Sequence, residues 1–148
     1  MRSTAALALA GALLAVLAGI GGARAAEPTG APTLREIMRH LHHDLSDVHR
    51  GLMYEDYSLI ARAARSIAEH PPIRVPERRL IEQRLGEETA AFAGLDEEVH
   101  DRSLAIAGAA RAERLDEIVR HSRSLVDSCV ACHQAFRERL RGISGARR

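Results

Sequence analysis

The chain has no lysine and no tryptophan, only two cysteines, and so few aromatic residues that they make up 3% of it. Every basic residue is therefore an arginine. With 21 basic and 20 acidic residues the formal net charge is +1, and nucleic acid, which is held by concentrated positive charge, is excluded as a partner. The same balance leaves no field of one sign over the whole surface, so the steering of a partner falls to a local patch. Two thiols alone do not make a zinc site, which needs four ligands. No segment alternates Val, Ile or Thr with polar residues, so no strand is expected, and a thioredoxin-like setting for the cysteines goes with it. Beyond the N-terminal stretch no run is long and apolar enough to span a bilayer.

The N-terminus reads as an address. Met1-Arg2 is a short positive start, Ala5 to Ile20 is an almost unbroken Ala/Leu run, and Ala23-Arg24-Ala25 has the small residues that signal peptidase accepts. Residues 1–25 are expected to be a cleavable signal peptide. The apolar run is Ala-rich, interrupted by Gly11 and Gly19, and shorter than the ~20 residues of a membrane anchor. Losing Arg2 and Arg24 with the signal leaves a charge of about −1. Residues 26–32, with Pro28, Gly30 and Pro32, read as a flexible tether. The domain proper is 33–148, with no membrane insertion once the signal is removed.

Four helical patterns follow. Thr33 with Glu36 three residues on is a capping box. Leu34, Ile37, Met38, Leu41, Leu45, Val48 and Leu52 then recur at three and four, one buried stripe of a helix expected to end near Gly51. A second pattern runs over about 55–69, with Tyr57, Ile60, Ala64 and Ile67 on one side, and His70-Pro71-Pro72 stops it. A third spans about 77–110, with irregularities expected at Gly86 and Gly94. The last covers about 115–140. Short connections between long helices favour antiparallel neighbours, so the expected fold is all-α, an antiparallel up-down-up-down four-helix bundle.

The two cysteines stand in Cys129-Val130-Ala131-Cys132-His133, the C-x-x-C-H arrangement of covalent haem attachment. The spacing has a chemical logic. Each thiol adds across one porphyrin vinyl group to form a thioether, and the adjoining imidazole reaches the iron from the same side. At about 100° per residue His133 falls in line with Leu115 and near Leu140, pointing into the bundle, with Cys129 and Cys132 to one side. One covalent haem c is thus expected near the end of the last helix, with His133 as axial ligand. A disulfide between i and i+3 on a continuous helix has poor geometry. A porphyrin would also supply the large flat group that the missing aromatics do not.

The run Cys129-Val130-Ala131-Cys132-His133-Gln134-Ala135-Phe136-Arg137, close to the C-terminus of a helical chain, resembles the class II c-type cytochromes, cytochrome c-prime and its low-spin relatives. The resemblance covers about 33–141. It implies that the other face of the iron is met by the first helix. A thioether there gives six-coordinate, low-spin iron for electron transfer; an apolar side chain leaves an open site for nitric oxide or carbon monoxide. Met38 is the candidate sixth ligand, about 40° from the centre of its stripe, and in an up-down-up-down bundle the start of the first helix lies beside the end of the fourth. Met38-x-x-Leu41-x-x-x-Leu45 with His133-Gln134-x-Phe136-Arg137 is also similar to the soluble b-type four-helix-bundle cytochrome. Low-spin relatives place an arginine four residues before the methionine, whereas Arg35 is three before Met38.

Rival ligands come from the histidines of the first helix. His42, about 80° from the stripe, competes with Met38 for the iron, and bis-histidine ligation would lower the potential. His40 and His43 point away and should be solvated; with Asp44 and Asp47 they form an i, i+3, i+4, i+7 face that could hold a surface copper or zinc ion. His70, His100 and His121 read as isolated surface or boundary residues. No nucleophile with a base stands out, so no enzymatic activity is expected. The expected function is single-electron transfer in the periplasm with redox partner proteins, as monomer or homodimer; the alternative is a five-coordinate gas-binding protein of the c-prime kind.

Overall fold

The computed structural model describes residues 30–143; the expected signal peptide, residues 26–29 of the tether and residues 144–148 lie outside the described residues. Among the described residues the chain is helical, with no strand. The elements are α1 (Leu34–Tyr54), α2 (Tyr57–Ala68), α3 (Val75–Leu85), a 3-10 turn (Gly86–Glu88), α4 (Thr89–Arg111) and α5 (Leu115–Phe136). Close packing runs α1 on α2, α2 on α4 and α4 on α5, a helical bundle to which α3 is added at one end. No helix among the described residues is long and apolar enough to cross a membrane.

The boundaries follow from local chemistry. The capping box is formed: Thr33 Oγ1 accepts from the Glu36 N–H at 3.1 Å, and a Glu36 carboxylate oxygen accepts from the Thr33 N–H at 2.7 Å. That bonding holds the Glu36 carboxyl below its usual pKa. The expected end of α1 near Gly51 is too early. The helix continues to Tyr54 and is closed by Glu55 in the left-handed region. Gly51 is instead a contact residue, buried where α2 crosses at Ile60. Asp56 caps α2 by accepting from the Leu59 N–H at 2.8 Å.

The third pattern, expected as one helix over 77–110, is two. It starts earlier, at Val75, because Pro76 in a first turn removes an N–H that has no intrahelical partner anyway. It breaks at Gly86, whose φ of 56° and ψ of −123° leave the helical region. Gly94 causes no break and lies inside α4. The last helix ends at Phe136, and turns carry the chain on to Leu140 and Ile143. The tether is less free than expected, since the Pro32 carbonyl accepts from the Arg74 N–H at 3.0 Å.

Burial divides in two. The larger cluster joins Val48 of α1, Ile60, Ala64 and Ile67 of α2, Val99, Ile106 and Ala110 of α4, and Ile118 and Leu125 of α5. Alanines at the α2 and α4 positions let those backbones approach closely. The smaller cluster holds Ile81, Leu85, Phe136, Leu140 and Ile143, with Leu34, Ile73, Phe92, Leu95 and Cys132 against it. Both phenylalanines of the chain are in the second cluster, with ring centroids 5.5 Å apart and planes at 89°. This edge-to-face arrangement is favoured by the ring quadrupoles.

Candidate functional site

Beside the second cluster lies a cavity of about 740 Å³, inside the roughly 300–1,000 Å³ span of small-molecule and cofactor sites. Elements far apart in sequence line it. The first turns of α1 supply Leu34, Arg35, Ile37 and Met38; the end of α5 and the turns after it supply Cys132, His133, Phe136, Arg137, Leu140 and Arg141. Ile73, Arg78, Ile81 and Glu82 come from α3 and its approach, and Phe92 and Asp96 from α4. The surface is mostly apolar, with charge at a few positions.

Met38, Cys132 and His133, singled out from the sequence, are therefore brought to one cavity. Met38 is half-buried on the stripe formed by Leu34, Ile37, Leu41, Leu45 and Val48, all of which are partly or fully buried. His133 lies on the cavity wall but is exposed, so the inward direction expected for it is met only in part. Cys129 is off the cavity lining and packs against the larger cluster, whereas Cys132 packs against the smaller one. One helical turn of α5 thus spans the seam between the two clusters. Both thiols are free and half-buried. Burial raises the Cys129 pKa, and burial followed by the Asp96 and Cys129 charges raises that of Cys132. A thiol held protonated is a weak nucleophile for disulfide exchange.

The charges divide unevenly. Arg35, Arg78, Arg137 and Arg141 line the cavity against Glu82 and Asp96, with Arg78 Nε 3.7 Å from Glu82 Oε1. Arg139, off the cavity lining, has its guanidinium 5.7 Å from the Phe136 ring centroid and hydrogen-bonded to Glu88. The Glu88 partner holds the Arg139 pKa up, and Arg139 in turn holds that of Glu88 down.

His70 departs from its reading as an isolated residue. It lines the cavity, its side chain is 15% exposed, and its Nε2 is 3.3 Å from Asp96 Oδ1. The sequence carried no signal for this pair, because Asp96 sits on α4 and His70 follows α2. His42 is exposed and off the cavity, with its carbonyl accepting from the Ser46 hydroxyl. His40 and His43 are exposed, as expected.

The four-residue metal face is not assembled: among the described residues no three His, Cys, Asp or Glu side chains gather to hold a metal ion. Both carboxylates stay beside His43, whose Nδ1 is 3.5 Å from Asp44 Oδ1 and 3.9 Å from Asp47 Oδ2, and each has a further partner. Asp47 pairs with Arg50 at 2.9 Å, and Asp44 accepts from Ser66 of α2 at 2.7 Å. Comparison with family models, with curated proteins and with solved structures returned no match.

Proposed function

We infer that the chain is a periplasmic single-electron carrier with one haem c, bonded through Cys129 and Cys132 and ligated by His133 and Met38. The observation that carries this reading is the convergence of Met38 on the cavity lined by Cys132 and His133. The C-x-x-C-H spacing puts imidazole and thiols together by itself; nothing local to α5 requires a thioether from α1 on the same wall. The likeness to class II c-type cytochromes in 129–137 supports the same assignment. An up-down-up-down course belongs to the reading as well, supported by the pairing of Gly51 with Ile60 and of Asp44 with Ser66, which run in opposite order along α1 and α2. Export with removal of 1–25 completes it, since haem attachment of this type takes place outside the cytoplasm.

The residues that line the cavity fit such a group, with Cys129 one turn before Cys132 on α5 and off the lining. When bound, haem supplies a one-electron ferric–ferrous couple. Cys129 and Cys132 anchor from one turn of α5, His133 offers an imidazole nitrogen, and Met38 a soft thioether that favours the reduced metal. Arg35, Arg78, Arg137 and Arg141 provide cations for propionate carboxylates, where guanidinium forks bind in bidentate fashion. Ile37, Ile81, Phe92, Phe136 and Leu140 exclude water and lower the local dielectric. A haem held by both His133 and Met38 would leave no place for a substrate on the iron, and the reading is of a carrier rather than an enzyme.

Met38→Ala tests it. The ferric protein should show the weak red-edge charge-transfer band of thioether-to-iron coordination, and the variant should lose it, turn largely high-spin, bind carbon monoxide rapidly when reduced, and fall in potential. If Met38 only packs, the variant should keep its spectrum and lose about 2–5 kcal/mol of stability. A wild-type protein that is already high-spin and binds carbon monoxide rapidly would replace electron transfer with gas binding.

A further inference from the structure

Glu77, in the first turn of α3, is only 2% exposed. A carboxylate sealed from water persists where hydrogen bonds or opposite charge replace its hydration. Among its contacts, Oε2 accepts from Arg74 Nε at 3.1 Å, and Oε1 accepts from the backbone N–H of Leu34 at 3.0 Å. Leu34 is the first residue of α1, and its N–H is one of four donors that a helix start leaves without an intrahelical partner. Thr33 satisfies another of these, on Glu36. The Arg74 N–H also donates to the Pro32 carbonyl. The α3 segment therefore grips the chain on both sides of Thr33.

We propose that Glu77 is the positioning residue for the sixth iron ligand: by holding the Leu34 N–H it fixes the first turn of α1, and so the place from which Met38 reaches the cavity. This rests on the reading of Met38 as ligand. Met38 stands about one helical turn after Leu34, and its side chain is unbranched and adaptable. Where its sulfur goes is then set by where the helix carries its backbone. A first turn without tertiary ties is where helices fray. Negative charge at that end also complements the helix dipole. The same segment builds part of the cavity wall through Ile73, Arg78 and Ile81, so clamp and wall move together.

The test uses the full haem-bearing chain and compares wild type, Met38→Ala, Glu77→Ala and Glu77→Gln. Glutamine keeps an oxygen for the Leu34 N–H, while Arg74, 45% exposed, can turn to solvent. In Glu77→Ala the ferric charge-transfer band should weaken, carbon monoxide association with the reduced protein should rise about tenfold, the scale of losing one hydrogen bond to a charged group, and amide exchange at 34–38 should quicken. Glu77→Gln should keep the wild-type band. A wild-type band and carbon monoxide rate in Glu77→Ala, even with a lower melting temperature, overturns the clamp; so does equal loss in Glu77→Gln. If Glu77→Ala does not accumulate, Glu77→Asp decides, because its carboxylate falls one methylene short of Leu34: a weakened band supports the clamp and an unchanged one overturns it. A wild type without covalent haem, or a Met38→Ala spectrum identical to wild type, overturns the site reading itself and the clamp with it.

Discussion

The surroundings of His70 determine which form of its ring folds best. Nδ1 lies 3.1 Å from the Pro71 carbonyl and Nε2 3.3 Å from Asp96 Oδ1. Both neighbours are acceptors, and only the imidazolium donates from both nitrogens. The Asp96 hydrogen bond raises the His70 pKa above 6.5, against the opposing effect of burial, with the Pro71 carbonyl adding to the rise. A raised histidine pKa stabilises the fold fully below 6.5 and loses that contribution as pH climbs through the folded value. Urea midpoints of the chain should accordingly fall above pH 6.5. Asp96→Asn should flatten that fall, and an unaltered slope would assign it to other groups. In the sequence His70 reads only as the residue before two prolines, since its partner arrives from another helix.

Three of the glycines in the helical segments make different demands on their elements. A Cβ at Gly51 would stand 2.6 Å from Ile60 Cγ1 and 3.2 Å from the Asp56 carbonyl oxygen, so Gly51→Ala must push α1 and α2 apart. The expected cost is about 1–3 kcal/mol. Gly86 has open space around it but a φ of 56°, and Gly86→Ala should cost about 1–3 kcal/mol through backbone strain alone. Gly94 has neither constraint, and within α4 Gly94→Ala should stabilise by about 0.5–1 kcal/mol. Urea unfolding of the three variants checks the order; destabilisation by Gly94→Ala would contradict it. Sequence pattern treats Gly86 and Gly94 alike, as breaks in a helical period, because periodicity carries no record of φ.

The molecule is built of two unequal cores with the cavity beside the smaller. Ile81, Phe136 and Leu140 of the smaller cluster line the cavity, whereas the larger cluster is closed by α1, α2, α4 and α5 together. The double variant Cys129→Ala, Cys132→Ala should carry no haem through a denaturing gel and should lose tertiary order. Hydrogen exchange should quicken first in α3 and the turns after α5, and last in α2 and α4. Haem staining of the double variant on that gel would disprove attachment, and uniform exchange would disprove the two-core division.

Much of this was readable from local pattern. The capping box at Thr33, the α1 stripe, the stop at Pro71, the all-helical class and the C-x-x-C-H turn each depend on residues within a few positions of one another, where propensity and periodicity act directly. Contacts between elements depend on the register in which helices meet. The pairing of His70 with Asp96, the hold of Glu77 on Leu34, and the placement of Cys129 and Cys132 in different clusters were all set there. Burial at 2% turns Glu77 from one more charge in an Arg-rich segment into the link between α3 and α1, because desolvation, which no single residue carries in its letter, makes its hydrogen bonds obligatory.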